Sequence, residues 1–115
     1  MNYDDYLPHI DVEEGMSRVL NNMALYLKLL NKFNPRQMTD LALEAIASGD
    51  KAAVIQSVHA LRGTSGNLSL PALSTVTEHI EELAKRDMDY SHLVEMLENA
   101  TDGLEKAIET LTANI

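Results

Sequence analysis

The residues best suited to chemistry gather in positions 50–70, DKAAVIQSVHALRGTSGNLSL. On a helix, successive residues turn by about 100°. Val54, Val58, Leu61, Ser65 and Leu68 then fall on one side. His59 stands roughly 140° from the centre of that side, so its imidazole is expected to face solvent. Imidazole changes charge near neutral pH, and the uncharged ring presents a free nitrogen that is a competent nucleophile. Arg62 flanks the same line, and a guanidinium can neutralise an arriving phosphoryl group and hydrogen-bond its oxygens. Gly63 lies one turn beyond His59 and Gly66 two turns beyond, in nearly the same direction. Glycine inside a helix costs up to about 1 kcal/mol relative to alanine, a cost justified where another backbone or ligand must come close. Gly66 can instead be read as part of the helix C-terminus with Ser65 and Asn67, but Gly63 precedes a further apolar position and that reading does not cover it. A nucleophile beside a cation on a bare surface suits group transfer with a protein partner. Hydrolysis would call for a cleft and a base. The surface offered to that partner is expected to include Ile55, Gln56, Gly63, Gly66 and Asn67, with Ile55 one turn before His59 and outward.

No other constellation competes. Carboxylate metal bundles use Glu-x-x-His, whereas Gln56, Val76 and Asp89 stand three residues before His59, His79 and His92. His9, His79 and His92 read as surface or boundary residues, and neither a metal nor a cofactor is expected. Glycine-rich nucleotide loops are absent from the sequence, so the chain should not use ATP itself. The acid runs Glu13-Glu14 and Glu81-Glu82 read as solvated faces and helix-start charges.

Composition narrows the class. The 115 residues suit a single domain over positions 1–115, with 45% apolar residues to fill a core. Eighteen acidic side chains against nine basic ones give a net charge of −9, which disfavours nucleic acid and anionic membranes. Cysteine is absent, in keeping with a reducing, cytoplasmic setting. No apolar run approaches a membrane span, and the acidic first ten residues do not resemble a signal peptide.

The elements that must position His59 are helices. Apolar residues recur at steps of three and four through Met16, Leu20, Met23, Leu27 and Leu30. The pattern returns through Leu73, Val76, Ile80 and Leu83, and again through Leu93, Leu97, Ala100, Leu104, Ile108 and Leu111. Residues 38–46 carry a weaker version in Met38, Leu41, Ala45 and Ile46. Punctuation falls between these runs. Asp11 with Glu14 reads as a capping box, Asn34-Pro35 as a helix start, and Gly49-Asp50 as a stop and restart. Ser69, with Pro71 just inside, reads as the next start, and Ser91 as the last. Leu25 and Leu29 lie off the stripe and are expected to be covered by the N-terminal segment around Tyr3, Tyr6 and Leu7. Short turns between such helices imply antiparallel neighbours. The expected fold is all-α: an antiparallel up-and-down four-helix bundle with a short extra N-terminal helical segment near residues 4–7. A monomer is expected, because the bundle uses up one apolar stripe per helix.

The string His59-Ala60-Leu61-Arg62-Gly63-Thr64-Ser65-Gly66-Asn67-Leu68 resembles the signature of histidine-containing phosphotransfer (HPt) domains: histidine, small residue, leucine, lysine or arginine, glycine, small residues, then leucine. Ile10-Asp11, Glu14-Gly15-Met16, Tyr26-Leu27, Leu29-Leu30 and Phe33 resemble that family's first long helices, and Ile80-Glu81 its apolar-acidic pair in the helix after the histidine. Arg62 stands where lysine is commoner and Ser69 where glycine is frequent, so the exit from the histidine helix is expected to differ. The resemblance implies a phosphoryl carrier, not an autonomous kinase, in a two-component phosphorelay. His59 would be phosphorylated on its distal ring nitrogen by a receiver-domain aspartate and would pass the group to another receiver. The partners implied are response-regulator receivers and a hybrid sensor histidine kinase, with Mg²⁺ held by the receiver. The alternative is a non-catalytic helical adaptor that binds receivers without carrying phosphate.

Overall fold

Asparagine and aspartate side chains set most of the helix starts. In the computed structural model, which describes residues 3–115, Asp11, Asn22, Asn34 and Asp50 each accept a hydrogen bond from the backbone N–H three residues on, at 3.1–3.2 Å. These are the donors that a helix N-terminus otherwise leaves unpaired. After a 3-10 turn at Tyr3–Tyr6, the helices are α1 (Val12–Ser17), α2 (Met23–Lys32), α3 (Pro35–Ser48), α4 (Lys51–Asn67) and α5 (Pro71–Lys85). A second 3-10 turn at Ser91–Leu93 leads into α6 (Val94–Asn114). Among the described residues every regular element is helical.

Helices α3 to α6 form the bundle. Each packs against the next, and α3 closes the ring against α6. Short connections make consecutive helices antiparallel. Ala42 and Ala45 from α3, Val54, Val58 and Leu61 from α4, Leu73, Val76 and Ile80 from α5, and Leu97, Leu104 and Leu111 from α6 are buried in one cluster. A fully buried leucine contributes about 2–3 kcal/mol to such a core. Thr39 and Thr101 share a buried 2.8 Å hydrogen bond between α3 and α6, so their hydroxyls are not stranded.

Several expectations need correction. The first apolar run is not one helix: residues 18–22 break it into α1 and α2, with Leu20 and Asn21 both in the left-handed region (φ 55° and 58°). Leu20 is consequently 94% exposed instead of lying on the core stripe. Leu25 and Leu29 are also exposed. The N-terminal segment that was to cover them packs elsewhere. Tyr6 accepts a hydrogen bond from Asn114, the Pro8 carbonyl accepts from the Ala72 N–H, and the His9 ring lies over Gly103. The capping box at Asp11 is only half made. Glu14 does not return to the Asp11 N–H, which donates to the Ser69 carbonyl at 2.9 Å. Its carboxylate takes the Ser69 hydroxyl at 3.0 Å and Arg18 at 3.2 Å. Ser91 opens the 3-10 turn, and α6 proper begins at Val94.

Ser69 does not cap α5, whose N-cap is Leu70 with Pro71 at the first helical position. It ends α4 instead. Ser69 takes φ 61°, its N–H donates to Gly66 and the Leu70 N–H to Ser65. These are the two bonds of the left-handed helix stop that usually employs glycine. The exit from the histidine helix is therefore of the glycine type with serine in the glycine's place.

Candidate functional site

His59 occupies the middle of α4, on the side toward α5, and 69% of its side chain is exposed. Its Nδ1 lies 2.8 Å from Oε2 of Glu81 on α5. Glu81 is 1% exposed. It belongs to the inner face of α5 with Leu73, Val76, Thr77, Ile80 and Ala84, and only its carboxylate reaches the rim. The reading of Glu81-Glu82 as a solvated pair therefore holds for Glu82 alone. A buried carboxylate without partners would be costly, and this one has three: Arg62 Nη1 donates to Oε1 at 3.0 Å, while His59 Nδ1 and Lys85 Nζ (2.9 Å) both meet Oε2. Burial pushes the Glu81 pKa up, but the bonds from Lys85, Arg62 and His59 outweigh it and bring it from 4.5 to about 2.

An ionised carboxylate only accepts hydrogen bonds. The proton of the neutral imidazole therefore sits on Nδ1, and Nε2, the distal nitrogen, carries the free lone pair. The arrangement fixes both the tautomer and the ring orientation of an exposed imidazole. A carboxylate in that place also favours positive charge on the ring.

Arg62 is 41% exposed and turns toward α5, with Nη2 3.9 Å from Glu78. The Glu81 bond raises its pKa, ahead of the Glu78 and Glu82 charges, so it is a permanent cation. It flanks His59 as expected, though its head engages Glu81 instead of standing free. Gly63 is exposed, and a Cβ built on it would meet nothing within 4 Å. At Gly66 such a Cβ would come 3.9 Å from the Ser74 hydroxyl, an ordinary contact. Gln56 and Asn67 are exposed, but Ile55 is half-buried against the core and not outward. Arg18 donates to the Gly66 carbonyl at 3.2 Å, which brings the α1–α2 connection to the end of this strip. His79 and His92 are exposed and His9 half-buried. Among the described residues no three histidine, aspartate or glutamate side chains converge as metal ligands, and no helix is long and apolar enough to cross a membrane.

The family profile described as Hpt domain matches residues 17–114. The chain belongs to the Hpt domain family. It is thus a helical-bundle protein of histidine phosphotransfer in two-component signalling, a family of phosphoryl carriers that lack kinase activity of their own and work with receiver domains. Comparison with curated proteins and with solved structures gave no match.

Open space at Gly63 leads to a direct expectation. Its dihedrals are ordinary helical ones, so Gly63→Ala should leave the melting temperature unchanged or raise it, by up to about 1 kcal/mol of stability. Gly63→Gln should also fold. Both should slow label transfer from a phosphorylated receiver, glutamine more, because the added side chain stands in the approach to His59. Parent-like transfer by the glutamine variant would remove any docking role for this position.

Proposed function

We propose that Nε2 of His59 accepts a phosphoryl group from the aspartyl phosphate of one receiver domain and delivers it to the aspartate of another. The bond from Nδ1–H to Glu81 carries this reading, since it leaves Nε2 as the free lone pair at an exposed point. In the forward step that lone pair forms the N–P bond, the aspartyl O–P bond breaks, and the carboxylate leaves with its electrons. Glu81 offsets the charge on the phosphorylated ring through Nδ1–H. Arg62 keeps Glu81 ionised and stands on the side from which phosphoryl oxygens arrive. The partner surface consists of the exposed Gln56, Gly63 and Asn67 and the half-buried Gly66 around His59, with Ile55 supporting it from beneath. The domain acts as a monomer in the cytoplasm, and takes phosphate from receivers, including one within a hybrid sensor kinase.

Incubation with a receiver carrying labelled aspartyl phosphate tests the proposal. The expected product is acid-labile, base-stable label located at His59 by peptide mapping, with loss of label from the receiver. A stable complex with the receiver but no label on His59 would overturn it in favour of a receiver-binding adaptor.

A further inference from the structure

One oxygen of Glu81 serves two donors: Oε2 lies 2.8 Å from His59 Nδ1 and 2.9 Å from Lys85 Nζ. A carboxylate beside an imidazole does two things of opposite value. It holds Nδ1–H and so leaves the lone pair on Nε2. It also favours the imidazolium form, which has no lone pair at either nitrogen. Left alone with the ring, Glu81 would orient the nucleophile and disarm it. Cations on the same carboxylate reduce the negative potential at the ring and leave the hydrogen bond in place.

Lys85 is placed for this. It lies one helical turn beyond Glu81 on α5 and meets Oε2 of the carboxylate, whereas the bond from Arg62 is to Oε1. It is 56% exposed and takes no part in the core. Glu81 on α5 meets His59 directly, Arg62 on its own helix and Lys85 on α5 meet Glu81, and Glu78 and Glu82 act on Arg62. Helix α3, on the other flank of α4, carries Arg36, Asp40 and Glu44, and Arg36 is committed to Asp102 and Glu105 on α6.

We infer that Lys85 is a positioning residue for phosphoryl acceptance: by sharing Oε2 of Glu81 with His59, it lets Glu81 orient the imidazole without protonating it. This rests on the reading of His59 as the acceptor. The test uses phosphoramidate, a small donor that needs no receiver docking. In that step the Nε2 lone pair forms the new N–P bond, the donor P–N bond breaks, and ammonia departs, its extra proton coming from water. Only the unprotonated ring can attack.

The rate of His59 labelling is measured against pH for the parent, Lys85→Met and Lys85→Arg. The methionine variant should shift the acidic limb of the profile to higher pH by about half a unit to one unit, given a unit charge some 5–6 Å away at a screened surface. At the foot of that limb its rate should be about three- to tenfold below the parent, with the alkaline plateau unchanged. Arginine should restore the parent profile. Superimposable profiles for methionine and parent, or an equal loss at every pH, would overturn the inference. Absence of label in the parent would instead defeat the acceptor reading. The NMR titration of the His59 ring, which needs no phosphoryl donor, then decides the role of Lys85. A higher midpoint in Lys85→Met supports it, and an unchanged one overturns it.

Discussion

Glu81→Gln should slow phosphoryl transfer about ten- to a hundredfold, the range found when the carboxylate that orients a metal-bound histidine is lost. It should also flatten the acid limb of the stability curve. The kinetic part follows from the chemistry of an amide. Glutamine can accept from Nδ1–H, but after a half-turn it can instead donate to Nδ1. That places the ring proton on Nε2 and removes the nucleophilic lone pair. It also supplies no negative charge to stabilise the phosphorylated ring. The stability part follows from the Glu81 pKa, held at about 2 against an ordinary 4.5. A folded-state value below the unfolded one means stabilisation that is complete above about pH 4.5 and disappears as pH falls through about 2. The shift corresponds to about 2–3 kcal/mol once screening of the half-exposed partners is allowed for. Denaturant titrations at several pH values should therefore show the parent losing that much more stability than Glu81→Gln between pH 5 and 2. Parallel curves, or transfer at the parent rate, would show that Glu81 neither anchors the ion cluster nor sets the tautomer.

Gly15→Ala should lower stability by about 3 kcal/mol, the upper end for forcing extra atoms into a packed interior. For a domain of this size that is a fall in melting temperature of more than 10 °C. Gly15 is buried, and a Cβ there would overlap the ring of Tyr26. The ring has nowhere to go: Tyr26 is 1% exposed and its hydroxyl donates to the Leu68 carbonyl at 2.6 Å. Burial, then the charges of Asp11 and Glu14, raises the pKa of that hydroxyl, so it stays a donor. A smaller partner makes the test specific. Combining Gly15→Ala with Tyr26→Leu should cost less than the sum of the two single changes, whereas Tyr26→Phe, which keeps the ring carbons in place, should give no such relief. Thermal unfolding followed by circular dichroism measures all of these. A fully additive Gly15→Ala, Tyr26→Leu pair would show that the ring is not what Gly15 makes room for.

Much of this was legible in the residues. The four bundle helices follow from apolar spacing, and Asn34-Pro35 and Gly49-Asp50 mark their boundaries where the structure has them. The exposure of His59 follows from its position opposite Val54, Val58 and Leu61. Glu81 was misjudged because a carboxylate beside another carboxylate looks solvated. The signal against that was present: Leu73, Thr77, Ile80, Glu81 and Ala84 recur at three and four residues, so Glu81 lies on an inward line. The break at residues 18–22 was hidden because its apolar residues keep helical spacing while Leu20 and Asn21 leave helical dihedrals. Asn21 is of a type that tolerates the left-handed region, but Leu20 before it gives no such signal. Ser69 misled in the opposite way, since serine before proline suggests a helix start, yet it is used here as a stop. As a stop it gives its hydroxyl to Glu14, a contact 55 residues distant in sequence.

On the proposed reading, one imidazole on one exposed helix surface must serve both the donor and the acceptor of the group. The two receivers then contend for the same patch and cannot be seated together. Turnover is of the ping-pong kind, with two half-reactions separated by a dissociation, and its ceiling is set by how quickly the spent donor departs. An excess of unphosphorylated donor receiver should inhibit the second half-reaction competitively. Evolution toward a tighter grip on one partner would lengthen its residence time and throttle the flow to the other.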